Sequence, residues 1–203
     1  IWRQAEERLF NLLGTTYDPQ IAIQYKGLKA RDVGKVIFQN LKPQNYSLEE
    51  CEEKMEQFLN QAYSQAVEPM PGAVQLVETL KEHFYLAIAS GSPVEPIKKI
   101  IANQGWESYF QVIISSENLS LGKPAPDIFL ITAQKLKVNP PNCVVVEDSL
   151  AGVEAAKRAG MKCVVVPSTS KTPQFFELAD RVADSLADLT LQDFQELVKI
   201  ESC

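Results

Sequence analysis

One stretch limits the possible folds of this chain more than any other. Cys143 to Val146 is a short apolar, β-branched run of the kind that forms a strand buried on both faces, and it stops at two adjacent carboxylates, Glu147 and Asp148. A helix is predicted next. Ala151, Ala155, Ala156 and Ala159 keep one side of it small enough to lie close on a sheet, Glu154, Lys157 and Arg158 suit water, and Gly160 is placed to end it. In an open parallel sheet the ligand crevice forms at the carboxyl ends of the strands, which puts Glu147 and Asp148 where chemistry is expected. A carboxylate pair there suits a hard cation. Asp148 and Ser149 also suit the start of a helix as plain N-caps, and the two readings are compatible.

The same alternation runs through most of the chain. It predicts helices over Ala73 to Glu82, Val94 to Ala102, Pro126 to Leu136 and Leu150 to Ala159, between strands at Phe84 to Ser90, Gln111 to Ser115, Cys143 to Glu147 and Lys162 to Val166. Strands separated by helices of about ten residues make a parallel, helix-covered sheet with right-handed crossovers. A short helix near Phe175 to Leu178, an edge strand at Arg181 to Ala183 and a last helix from Leu191 complete the reading.

Residues 1–66 read differently. Trp2, Ala5, Leu9 and Leu12 recur at helical spacing up to Gly14; Val33, Val36 and Ile37 follow the basic turn Tyr25 to Asp32; Ser47 and Glu50 form a capping box ahead of Leu48, Cys51, Met55, Phe58 and Ala62. Such stripes predict a small helical bundle. The composition changes at Val67 to Gly72, where two prolines and a glycine cannot continue a helix, so a hinge divides a unit of residues 1–66 from one of 67–203.

Charge and composition exclude several roles. A net charge of −6 argues against a nucleic-acid footprint, which needs clustered Lys and Arg, and no run of about 18 uncharged apolar residues is present to span a bilayer. Cys51, Cys143, Cys163 and Cys203 lack zinc-ligand spacing, and Cys143 and Cys163 fall in apolar strands, which fits reduced core thiols of a cytoplasmic protein. The single histidine, His83, precedes its strand at the end away from the crevice, so a histidine-based hydrolase is disfavoured. A monomer acting on a small molecule is the expected assembly.

Two further strand ends carry candidate chemistry. After Phe84 to Ala89 come Ser90, Gly91, Ser92, Pro93, Val94 and Glu95; Ser92 and Glu95 suit a capping box with Pro93 in the first helical position, leaving Ser90 and Gly91 over free amides that suit phosphate. A plain strand-to-helix turn would use the same residues. After Gln111 to Ser115 the loop Leu121-Gly122-Lys123-Pro124-Ala125-Pro126-Asp127 fixes one lysine between a glycine and prolines, as an aimed ammonium requires.

This order of Ser90-Gly91-Ser92, Gly122-Lys123-Pro124-Ala125-Pro126-Asp127 and Glu147-Asp148-Ser149 resembles the haloacid dehalogenase-like hydrolase superfamily, in the branch of β-phosphoglucomutase and bacterial sugar-phosphate phosphatases. The resemblance implies a Rossmann-like α/β core with a small all-helical cap. It implies Ser90 as a catalytic phosphate ligand with Gly91, Lys123 as the lysine that steadies nucleophile and phosphoryl group, and Asp148 with Glu147 as ligands of Mg²⁺. Lys26 and Arg31, with Lys29 between them on the basic turn of the cap, are the expected substrate contacts, and the resemblance implies a small phosphorylated metabolite, a sugar phosphate, as the substrate. No residue matches the family's first motif, the Asp-x-Asp-Gly strand end that supplies the nucleophile, and Ile1 to Glu6 resembles the cap helix that follows it. The expectation is a chain that begins just after its catalytic strand and is inactive alone. The family's cap arginine for a second phosphate falls near Ala30, one place from Arg31, which favours a phosphatase over a mutase. A non-catalytic binding protein is the third reading.

By the same resemblance the first-motif strand sits between Phe84 to Ser90 and Cys143 to Glu147. These two are therefore expected to stand apart across a slot, each paired on its other side, with Ser90, Lys123 and Asp148 converging at its mouth.

Overall fold

The computed structural model describes residues 1–64, 67–167 and 173–198. The first unit is helical: α1 (Trp2–Leu12), α2 (Pro19–Tyr25), α3 (Ala30–Leu41) and α4 (Leu48–Ala62). Leu9, Phe10, Ile37, Met55 and Leu59 are fully buried in one cluster, and each such side chain contributes about 1.5–3 kcal/mol of burial. The Ser47–Glu50 capping box forms as predicted. Helix α2 is an addition to the sequence reading: Asp18 accepts from the Gln20 amide and Pro19 opens the helix, so a cap and a first-turn proline nucleate a segment only seven residues long.

The second unit runs α5 (Ala73–Leu80), β1 (Leu86–Ser90), α6 (Val94–Asn103), β2 (Phe110–Ser115), α7 (Asp127–Leu136), β3 (Val144–Glu147), α8 (Leu150–Arg158), β4 (Lys162–Val165), α9 (Pro173–Leu178), β5 (Arg181–Val182) and α10 (Leu191–Leu197). The proposed division between residues 66 and 67 falls beside residues 65–66, which lie outside the described residues, as does Cys203. Strand β1 starts at Leu86 and not at Phe84, because the Phe84 amide still closes the α5 turn onto the Leu80 carbonyl.

All strand pairs are parallel, but they form two sheets. β1 pairs with β2, in register from Ala87 with Val112 to Ser90 with Ser115; β3 pairs with β4, and β4 with β5. β1 and β3 face each other across a cleft of about 860 Å³, lined by Ala87 and Ala89 on one side, Val144 and Val146 on the other, and Phe129 and Phe194. This is the separation anticipated from the sequence. It corrects one expectation: β3 is not buried on both faces, since Val146 is 41% exposed where its edge borders the cleft. Strand β4, covered on both edges, has Cys163, Val164 and Val165 fully buried, and burial pushes the Cys163 thiol up to about 12. No helix among the described residues is long and apolar enough to cross a membrane.

Candidate functional site

Ser90 and Ser115 end their parallel strands side by side, and Glu147 is brought to the same place by Lys123, whose ammonium reaches both the Ala89 carbonyl and the Glu147 carboxylate. The Ser90 hydroxyl oxygen accepts from the Ser92 amide at 3.1 Å, and the Ser115 hydroxyl donates to the Ser92 carbonyl at 2.7 Å, so the turn after β1 is held from both sides. The expected Ser92–Glu95 capping box is absent. Pro93 occupies the N-cap position of α6, and the buried Ser92 hydroxyl is instead paired with the Tyr63 hydroxyl at the end of α4. A contact from 29 residues away in sequence has taken the cap's side chain.

Lys123 is buried, and its ammonium pairs with the Glu147 carboxylate, lies 3.5 Å from the Ala89 carbonyl and sits 5.1 Å from the Phe129 ring centre. The other Glu147 oxygen accepts from the Ser149 hydroxyl at 3.0 Å and faces the Asp148 amide at 3.3 Å. Ser149 also caps α8 by accepting from the Gly152 amide, so it, and not Asp148, fills the N-cap role. Gly152 is required for this packing, because a Cβ there would come within 2.1 Å of the Glu147 carboxylate.

Asp148 points outward and is half-exposed, with its carboxylate 3.8 Å from the Lys26 ammonium of the helical unit. That unit reaches all three strand-end loops through one turn. Gly27, at φ +85°, lies on Ser149; the Leu28 carbonyl lies on Gly91; and the Lys29 stem lies against Gly122. Arg31 is directed to the acidic face of α4, 3.3 Å from Glu52 and 4.0 Å from Glu56. The structure therefore brings Ser90, Lys123, Glu147, Asp148 and Lys26 together, with Arg31 at the margin. Sequence reasoning overlooked Ser149 as the group that orients Glu147 and Tyr63 as a contact from the helical unit; only the serine, next to the carboxylate pair, left a local signal.

Among the described residues no three His, Cys, Asp or Glu side chains gather as a ready-made metal cluster. Mg²⁺, however, takes as few as one or two carboxylates and completes its shell with water and phosphate oxygens, a donor set that the outward, half-exposed Asp148 carboxylate fits. The two Glu147 oxygens are engaged by Lys123 and Ser149, so the expected Glu147 ligand is in place only behind Asp148.

The sequence profile of one family, "Hydrolase: haloacid dehalogenase-like hydrolase", matches residues 6–160. The bifunctional riboflavin kinase/FMN phosphatase of Arabidopsis thaliana is 44% identical over 128 residues, 62% of this chain and 34% of that protein, so the chain spans about a third of that relative's length. Fructose-1-phosphate phosphatase YqaB of Escherichia coli (strain K12) is 30% identical over 168 residues, covering 81% of this chain and 86% of that one. Among solved structures, β-phosphoglucomutase from Clostridium difficile superposes with a TM-score of 0.81 at 25% identity, over 97% of this chain and 89% of its own.

Proposed function

The chain belongs to the haloacid dehalogenase-like hydrolases, and on that premise we propose that it is the cap and most of the core of a Mg²⁺-dependent phosphatase acting on a small sugar phosphate or related phosphomonoester. The observation that carries this reading is the buried Lys123–Glu147 pair at the strand ends, flanked by Ser90 and covered by the Lys26 to Lys29 turn.

Each residue has a role that follows from its contacts. Ser90 accepts the Ser92 amide, which leaves its own proton to donate to a phosphoryl oxygen. Lys123 has three N–H bonds; Glu147 takes one, the Ala89 carbonyl lies near a second, and the remaining one is available to the transferring phosphoryl group, where a dry ammonium stabilises developing charge. Bound at Asp148 beside Glu147, Mg²⁺ would supply further neutralisation of phosphoryl charge. The nucleophile is an aspartate on an additional strand seated between β1 and β3. Its carboxylate oxygen attacks phosphorus as the ester P–O bond breaks, and the leaving oxygen takes a proton from a general acid and departs as the alcohol; water, giving a proton back to that group, then cleaves the acyl phosphate to release inorganic phosphate and restore the aspartate. The cleft supports that placement, because among the described residues both bordering strands present unpaired edges that a parallel strand would satisfy.

Mutase chemistry requires a cap cation for a second phosphate, and the engagement of Arg31 by Glu52 and Glu56 favours the phosphatase. The test is to read the coding sequence upstream of Ile1, express the protein with it, and measure phosphate release from fructose 1-phosphate and FMN with and without Mg²⁺, alongside glucose 1-phosphate isomerisation. Metal-dependent phosphate release is expected. Isomerisation without net release would give the mutase, and inertness of a protein that carries an Asp-x-Asp-Gly strand would leave a binding role.

A further inference from the structure

A second, smaller pocket of about 140 Å³ lies between the helical unit and the loop after β1. It adjoins the proposed phosphate ligand through Gly91, and its polar walls are Lys29, Arg31, Glu56, Asn60 and Glu117. Resting on the phosphatase reading, we infer that this pocket takes the uncharged, hydroxyl-rich part of the substrate, so that the protein selects polyol or sugar compounds with one phosphate over bisphosphates.

The argument is one of charge balance. Lys29 and Arg31 bring two positive charges to the walls, and Glu56 and Glu117 bring two negative ones. Arg31 is further occupied by Glu52 at 3.3 Å, outside the lining. A second phosphate, with about −1.5 to −2 of charge, would find no net positive field and would lie beside two carboxylates. A hydroxyl group both donates and accepts, and here it meets donors on Lys29 and Arg31, acceptors on Glu56 and Glu117, and both on Asn60. Hydrogen bonds to charged partners are the strong ones, so a run of hydroxyls suits these walls better than an anion or an apolar group does. Size agrees: the volume is well below the roughly 300–1,000 Å³ of pockets that hold drug-sized ligands.

The test compares fructose 1-phosphate with fructose 1,6-bisphosphate on the full-length protein with Mg²⁺. Binding is read as the ligand-induced rise in Tm across a concentration series, which needs no turnover. The monophosphate is expected to bind about ten-fold more tightly or better. Glu56→Gln and Glu117→Gln should each weaken the monophosphate and narrow the gap, because both make the pocket more positive; Asn60→Ala should weaken both ligands alike and serves if either glutamine variant fails to fold. A bisphosphate that binds equally or more tightly, or an unchanged ratio in folded glutamine variants, overturns the assignment. Hydrolysis of p-nitrophenyl phosphate is measured in parallel. If that activity is absent while the binding order holds, the phosphatase reading falls and the pocket assignment stands.

Discussion

Lys123 and Glu147 form an ion pair in which each side chain is only 8% exposed, and Ser149 holds the carboxylate from its other side. The pair joins two strand-end loops 24 residues apart in sequence, so it holds the fold together as well as serving the proposed chemistry. Removing one partner leaves the other charged and buried, and Lys123→Met should cost about 3–5 kcal/mol in urea denaturation. Adding Glu147→Gln to that variant should recover much of the loss without restoring turnover. A double variant as unstable as the single one would show that the pair does not couple the loops.

Gly14 and Gly27 offer a matched comparison. Both have positive φ, +80° and +85°, but an added Cβ meets nothing within 4 Å at Gly14 and would come within 2.2 Å of the Ser149 hydroxyl at Gly27. Gly14→Ala should cost about 1–2 kcal/mol from backbone strain alone, with KM unchanged. Gly27→Ala carries the same strain and also lifts the turn off the strand ends, so KM for sugar phosphates should rise several-fold. Equal KM values in the two variants would mean that the turn does not cover bound substrate.

Asp148→Asn separates site from scaffold. The carboxylate is half-exposed and its contact with Lys26 is long, so the substitution should leave stability within about 0.5 kcal/mol. Metal-dependent phosphate release, and any rise in Tm on adding Mg²⁺, should disappear. A retained Mg²⁺-induced Tm shift would remove Asp148 from the ligand set.

Acid stability should depend on Asp180. Burial alone would raise its pKa, but the Lys157 hydrogen bond at 2.6 Å, the Cys163 amide at 2.8 Å and Lys162 at 3.3 Å outweigh that and hold the carboxyl below its ordinary 3.8. A carboxyl with a depressed native pKa stabilises the fold above its unfolded pKa, and the contribution is lost as pH falls from near 3.8 through the lower native value. Tm followed from about pH 6 to about pH 2 should fall less steeply in Asp180→Asn than in the parent, from a lower starting value. Parallel curves would assign the acid response to other carboxylates.

Much of this architecture was legible because hydrophobic periodicity and turn residues are local signals. The β3–α8 unit, the order of strands and helices, and the loops carrying Ser90, Lys123 and Asp148 all follow from short stretches of sequence. What escaped is tertiary. The Ser92 hydroxyl left its local helix for Tyr63, and Glu147 turned inward to Lys123 beneath Asp148, choices made by groups distant in sequence. Helix α2 escaped for another reason: Asp18-Pro19 is a valid start signal, but seven residues are too few for an apolar period to stand out. Val146 reads as a buried residue from its neighbours and is exposed because burial depends on which strand lies alongside.

The division of the strands into β1–β2 and β3–β4–β5 also has a dynamic consequence. Helix α7 packs on β1, on β2 and on α8, so it bridges the two sheets as a spine joins the leaves of a book. Without a shared ladder, breaking the β1–β2 hydrogen bonds need not disturb those of β3–β4, and amide hydrogen exchange should resolve two opening units of unequal free energy. The fully buried β4 amides should exchange last, the β1 amides well before them, and a strand bound in the cleft should bring the two rates together.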